Sequence, residues 1–129
     1  MLSVTKRIVI TKRIVMKHDE GSCFKAKLAI RDTLDVVGGK WKLVLISVLF
    51  NGKKRFNELT REAGISPRIL SKELQELEMN GLVTRQVMDT KPVTVQYELT
   101  EYTTTLYEVL SAMEKWGLQH REKVTSNNV

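Results

Sequence analysis

Ser66-Pro67-Arg68-Ile69-Leu70-Ser71-Lys72-Glu73-Leu74-Gln75-Glu76-Leu77-Glu78-Met79-Asn80-Gly81 is the stretch that decides the fold. Ser66 is a good N-cap, because its hydroxyl oxygen can accept from an otherwise unpaired amide of the first turn. Pro67 suits the first helical position, where no backbone N–H is needed. Asn80-Gly81 supplies the stop. At roughly 100° per residue, Leu70, Leu74 and Leu77 form one narrow stripe, and Arg68, Ser71, Lys72 and Gln75 gather on the opposite side. Those polar types reach phosphates and base edges: Arg and Lys pair with guanine acceptors, Gln with adenine, Ser with either. Ser66, at the helix start, joins them as a candidate contact. Glu73, Glu76 and Glu78 lie towards the flanks and the C-terminal half, which leaves the N-terminal half positive. Such a helix suits entry into a major groove by its N-terminus, where the helix dipole also favours phosphate. Taken alone it reads more safely as a solvated amphipathic helix with an ordinary polar face, so its surroundings must decide.

Upstream, residues 24–37 predict a helix with Phe24, Leu28, Leu34 and Val37 on its apolar face, ended by Gly38-Gly39. Residues 40–50 predict a second helix, apolar on most sides and therefore central to a core, closed by Asn51-Gly52. Phe56–Ala63 predicts a short third helix, with Phe56, Leu59 and Ala63 on one face and Gly64 as its stop. Downstream of the quoted stretch, residues 82–87 and Thr94–Leu99 read as strands joined by a polar hairpin loop. A last helix spans residues 101–123. The β-branched run Thr103-Thr104-Thr105 weakens its beginning, so it is expected to start late.

The sum is a mainly α fold with a small β-hairpin, in the order of a winged helix-turn-helix. Lys53, Lys54 and Arg55 fall in the turn before the third helix, and Arg85 and Lys91 flank the wing. A basic footprint built from turn, helix and hairpin is far less common than a polar helix face, and it favours double-stranded DNA as partner.

Composition agrees. The chain has 129 residues, 42% hydrophobic and 28% charged, an ordinary globular balance. Its net charge of +6 is unevenly spread. Residues 1–17 hold five bases and no acid, and residues 40–91 hold ten bases against six acids. The first of these basic segments contains a tandem copy, Thr5-Lys6-Arg7-Ile8-Val9 and Thr11-Lys12-Arg13-Ile14-Val15. It reads first as an extension upstream of a start at Met16, and alternatively as a flexible arm that meets phosphate. Domain organisation is thus a basic extension over 1–22, one winged-helix domain over 23–124 and a frayed tail over 125–129. Cys23 is the only cysteine, which excludes an intrachain disulfide and suits a reducing compartment. The longest apolar run, residues 43–50, is too short to cross a bilayer. Lys12 and Arg13 interrupt any secretory signal. A cytoplasmic soluble protein without cofactor is expected.

With Gly38-Gly39-Lys40-Trp41-Lys42, Arg55-Phe56-Asn57-Glu58-Leu59, Gly64-Ile65-Ser66, Leu70, Leu74, Glu76-Leu77-Glu78, Gly81-Leu82-Val83 and Tyr97-Glu98-Leu99-Thr100 in hand, the sequence resembles the HxlR family, MarR-like winged-helix bacterial transcription regulators. The blocks keep the expected order and spacing over roughly residues 28–118. The resemblance implies a homodimer on a pseudo-palindromic operator, with the quoted helix in the major groove and the wing against backbone or minor groove. It also implies that the first and last helices build the dimer interface. Leu28 on the first, and Leu106, Val109, Leu110, Met113 and Trp116 as a stripe on the last, are the residues for it.

Some family members sense oxidants or electrophiles through a cysteine at the start of the first helix. Cys23, near a helix N-terminus with Lys25 and Lys27 close by, is the candidate redox sensor. It departs from the pattern, because alignment on Gly38-Gly39 puts Leu28-Ala29 near that place and Phe24, not proline, follows Cys23. A protein-interaction module that kept the fold without DNA binding is the other alternative. An enzyme is not expected. His18 and His120 stand at opposite ends, His18 with Cys23 or with Asp19 and Glu20 has neither an orienting third group nor a ligand spacing, and Gly38-Gly39-Lys40 lacks the phosphate-loop pattern.

Overall fold

The computed structural model describes residues 20–127, so the tandem basic segment and residues 128–129 lie outside the described residues. The elements are α1 (Glu20–Val37), α2 (Lys42–Leu49), β1 (Lys54–Arg55), α3 (Phe56–Ala63), α4 (Pro67–Met79), β2 (Val83–Met88), β3 (Thr94–Leu99), a 3₁₀ helix (Glu101–Leu106) and α5 (Tyr107–Asn127). They divide into two compact units, one ending at Gly38 and the other beginning at Gly39.

In the first unit α1 begins at Glu20, four residues before the apolar pattern starts. Helical hydrogen bonds propagate through Gly21 and Ser22 without needing an apolar face, so hydrophobic periodicity could not mark that end. Its C-terminus is fixed by glycine. The Gly38 amide donates to the Leu34 carbonyl at 2.8 Å, and a Cβ added at Gly38 would strike that same carbonyl.

The second unit has its core where α2, α3 and α4 pack together under the sheet. Leu45, Ile46 and Leu49 come from α2, Leu59 from α3, and Leu70, Leu74 and Leu77 from α4, all buried with Ile65, Leu82, Val83 and Tyr97. α3 and α4 fall where the sequence puts them. The Ser66 hydroxyl accepts from the Ile69 amide at 3.3 Å, with Pro67 in the first turn. At the far end the Gly81 amide donates to the Glu78 carbonyl and the Leu82 amide to the Leu77 carbonyl, at 3.0 and 2.9 Å. This paired closure requires the left-handed backbone of Gly81, φ +74°.

Four elements of this unit differ from expectation. α2 spans Lys42–Leu49 rather than 40–50, since Trp41 takes the N-cap position, with the Lys40 ammonium 5.0 Å from its ring centre, and Phe50 the C-cap. Lys54-Arg55, expected in a turn, forms β1. The expected hairpin is therefore a three-stranded antiparallel sheet in the order β1-β3-β2. A two-residue strand is too short to show a period-2 pattern. β2 is shifted by one residue, pairing Val83 with Leu99 through Met88 with Thr94.

The fourth difference lies at the last helix. It opens with the 3₁₀ segment, as the threonine run leads one to expect, and α5 then continues through Asn127, beyond Lys123 and into the tail expected to fray. The Thr104 and Thr105 hydroxyls donate to the carbonyls of Glu101 and Tyr102, three residues back, at 2.6 and 2.7 Å. Thr103 is wholly buried and its hydroxyl donates to the Leu82 carbonyl at 2.6 Å. Past Asn127 nothing is described. Among the described residues no helix is long and apolar enough to cross a membrane.

Because Leu74 is fully packed, Leu74→Ala is expected to cost about 2–5 kcal/mol. The denaturant midpoint should fall while the far-UV circular dichroism of the native baseline is kept.

Candidate nucleic-acid interface

α4 presents two unlike faces. Leu70, Leu74 and Leu77 are 0–1% exposed, whereas Arg68, Ser71, Lys72 and Gln75 are all exposed. The buried stripe allows no other rotation of the helix, so the polar side chains share the outer face by necessity. Ser66 is exposed too, but its oxygen is engaged as the cap. Ile69, 41% exposed on one flank, adds an apolar surface beside the polar ones.

Two of the three acids of α4, Glu73 and Glu76, are held by a partner that leaves no pattern in the local sequence. The Lys42 ammonium, at the start of α2, donates to Glu73 Oε1 at 2.7 Å and Glu76 Oε1 at 2.6 Å. Its side chain is only 10% exposed. Burial penalises the ammonium, yet its hydrogen bonds to the two carboxylates and their charge outweigh that penalty, and the Lys42 pKa lies above the ordinary lysine value. In turn the hydrogen bond from Lys42, then its charge, holds Glu76 below the ordinary carboxylate range, with Lys72 adding a weaker pull. A contact across 31 and 34 residues leaves no local pattern. The one local signal is a lysine at the head of a helix that is apolar but for Ser47.

The turn and wing residues are not one cluster. Lys53, Arg55, Arg85 and Lys91 are exposed. Lys54 is half-buried and its ammonium meets Glu62 Oε2 at 3.2 Å, so part of its charge is already balanced. Register separates the remainder. Lys54 and Arg85 both oppose Tyr97 and share its side of the sheet, while Arg55 opposes Gln96 on the other. Lys91 sits in the β2–β3 loop.

At the start of α3, Glu58 Oε1 accepts from the Arg55 amide at 2.8 Å. That bond, followed by the charges of Arg55, Lys54 and Arg61, holds the Glu58 carboxyl below its ordinary range. Arg61, exposed on α3, lines a groove of about 520 Å³ with Arg55, Asn57, Val93 and Tyr97. A lone arginine on a short helix carries no sequence pattern, so Arg61 becomes visible only through the groove it lines.

Of the interface residues expected elsewhere, Val109, Met113 and Trp116 on α5 are 40%, 50% and 65% exposed, and Leu106 and Leu110 are half-buried. His120 stacks on Trp116 with ring centres 4.9 Å apart. On α1, Leu28 is exposed, and Cys23 lies half-buried in the first turn.

A three-helix core, a helix with an outward polar face and an antiparallel wing define a winged helix-turn-helix protein. The family model of HxlR-like helix-turn-helix proteins matches residues 36–125, and the chain belongs to that family of transcription regulators. It is 44% identical over 95 residues to the HTH-type transcriptional regulator YybR of Bacillus subtilis (strain 168), covering 73% of this chain and 76% of that one. The reduced form of the redox regulator HypR superposes with a TM-score of 0.70 at 42% identity, covering 76% of this chain and 98% of HypR. The reduced form of the transcriptional regulator YodB from B. subtilis gives 0.62 at 39%, covering 70% and 90%. The chain is accordingly a DNA-binding transcription regulator.

Acid should loosen this architecture in a definite direction. Glu58 and Glu76 have folded-state pKa values below their unfolded ones. The unfolded chain therefore binds more protons as pH falls through that range, and the stability they contribute at neutral pH is lost. Urea midpoints measured from pH 7 to pH 3 should decline, and Glu58→Gln should flatten part of the decline.

Proposed function

We propose that two copies of the chain act as a homodimer on a pseudo-palindromic operator, each laying α4 in a major groove and its β2–β3 loop against backbone or minor groove. One observation carries the reading: Arg68, Ser71, Lys72 and Gln75 are exposed together, opposite a leucine stripe that is wholly buried. Arg68, near the positive N-terminal end of α4, is suited to a bidentate contact with guanine, and Gln75 to one with adenine. Ser66, Ser71 and Lys72 suit phosphates. Arg55, Lys53, Arg85 and Lys91 would add backbone contacts, with Lys54 the weakest among them because Glu62 already holds it.

The dimer reading is supported by α5. Val109, Met113 and Trp116 form an apolar run that a single copy leaves to water, and Leu106 and Leu110 border it. With Leu28 of α1 they are the proposed interface. Two-fold symmetry would then set the two α4 helices about 34 Å apart, one turn of duplex.

Duplex fragments selected from the source genome supply the operator, and fluorescence anisotropy across a salt series reads the contacts. Arg68→Ala is expected to cost about 1–3 kcal/mol and relax base preference. Lys72→Ala should weaken specific binding, and Lys91→Ala should weaken all sequences alike and lower the salt slope by about one. Equal affinity of all three variants and the parent would overturn these roles. Affinity indifferent to salt would favour a protein partner instead. For the interface, Trp116→Asp should shift the sedimentation profile towards monomer, whereas an unchanged profile would refute it.

A further inference from the structure

The ion-pair cluster on one flank of α4 bears on operator binding and rests on that reading of α4. Around α4, Glu73 and Glu76 share one flank, and Lys72 lies on the outer face next to Glu76, four residues before it. At that spacing lysine and glutamate can pair on a helix surface, the order with lysine first being the weaker of the two. Here Lys72 makes no ion pair among the described residues, and only its more distant charge reaches Glu76, because the Glu76 carboxylate is turned to Lys42 at 2.6 Å. Glu73 is drawn to the same ammonium at 2.7 Å and is 14% exposed.

We infer that Lys42 is a positioning residue for DNA recognition, which holds both carboxylates against α2 and so leaves Lys72 uncommitted for phosphate. Two effects follow from this one contact. A negative flank that would repel the duplex is balanced, with Glu73 drawn inward and Glu76, 41% exposed, neutralised where it stands. A cation that would otherwise be spent within its own helix stays available. Lys42 itself touches no nucleic acid in this arrangement, being buried, so its action is entirely through Glu73, Glu76 and Lys72.

Lys42→Met keeps the length of the side chain and removes the charge. Binding is measured on the duplex recovered with the parent protein, labelled with fluorescein, over a salt series. K42M is expected to bind roughly tenfold more weakly, as two unbalanced carboxylates near phosphates should cause. Its salt slope should shrink by about one, as Glu76 captures Lys72. Adding Glu73→Gln and Glu76→Gln to K42M should restore both affinity and slope. A purely structural role for Lys42 would not be rescued by deleting two carboxylates. Loss without that recovery, or parental affinity and slope in K42M, overturns the inference. If K42M does not fold by thermal melt, Lys42→Gln takes its place. Its shorter, uncharged side chain does not balance two carboxylates, its slope should shrink likewise, and a parental slope overturns the inference equally. A parent protein that recovers no duplex, or binds it without salt dependence, instead refutes the operator reading.

Discussion

Burial of Leu70, Leu74 and Leu77 is the constraint on which the rest depends. Three leucines on one side of a 13-residue helix, all at or below 1% exposure, admit a single rotational setting. Turning α4 by one residue would drive a leucine into water and a charged side chain into the core, each at a cost of kcal/mol size. The outward presentation of Arg68, Ser71, Lys72 and Gln75 is therefore a by-product of packing. Capping at both ends adds to this, because Ser66 and Gly81 fix where the helix begins and stops.

Electrostatics refine what packing sets. A helix bearing Glu73, Glu76 and Glu78 is a poor approach to a polyanion if all three acids are free. Lys42 removes two of them from play while sitting on a different helix. The bookkeeping of net charge along the chain could not detect this, since it counts Lys42 among the bases available to a partner when that ammonium is buried.

Helices with clear punctuation were fully legible in the sequence. α3 and α4 fall at their expected limits because Gly64, Ser66, Pro67 and Gly81 act locally. Features made by distant partners were not legible. β1 exists only because β3 offers Lys54 and Arg55 a ladder, and the pairing of Lys54 with Glu62 depends on the strand and α3 meeting. The start of α1 is not legible because its first turn has no apolar pattern, nor is the end of α5, because composition there resembles a tail. For the site, the outer face of α4 was legible from periodicity, whereas Lys42 and Arg61 were not.

The threonines after β3 have a mechanical consequence. The Thr100 hydroxyl donates to the Gly81 carbonyl at 2.8 Å, and the Thr100 amide and Thr103 hydroxyl donate to the Leu82 carbonyl at 3.1 and 2.6 Å. The residues that close α4 are thereby bolted to the root of α5. With so short and stiff a fastening, the long terminal helix works as a crank arm. It cannot be tilted at its base without either shearing those bonds or dragging the tail end of α4 along with it.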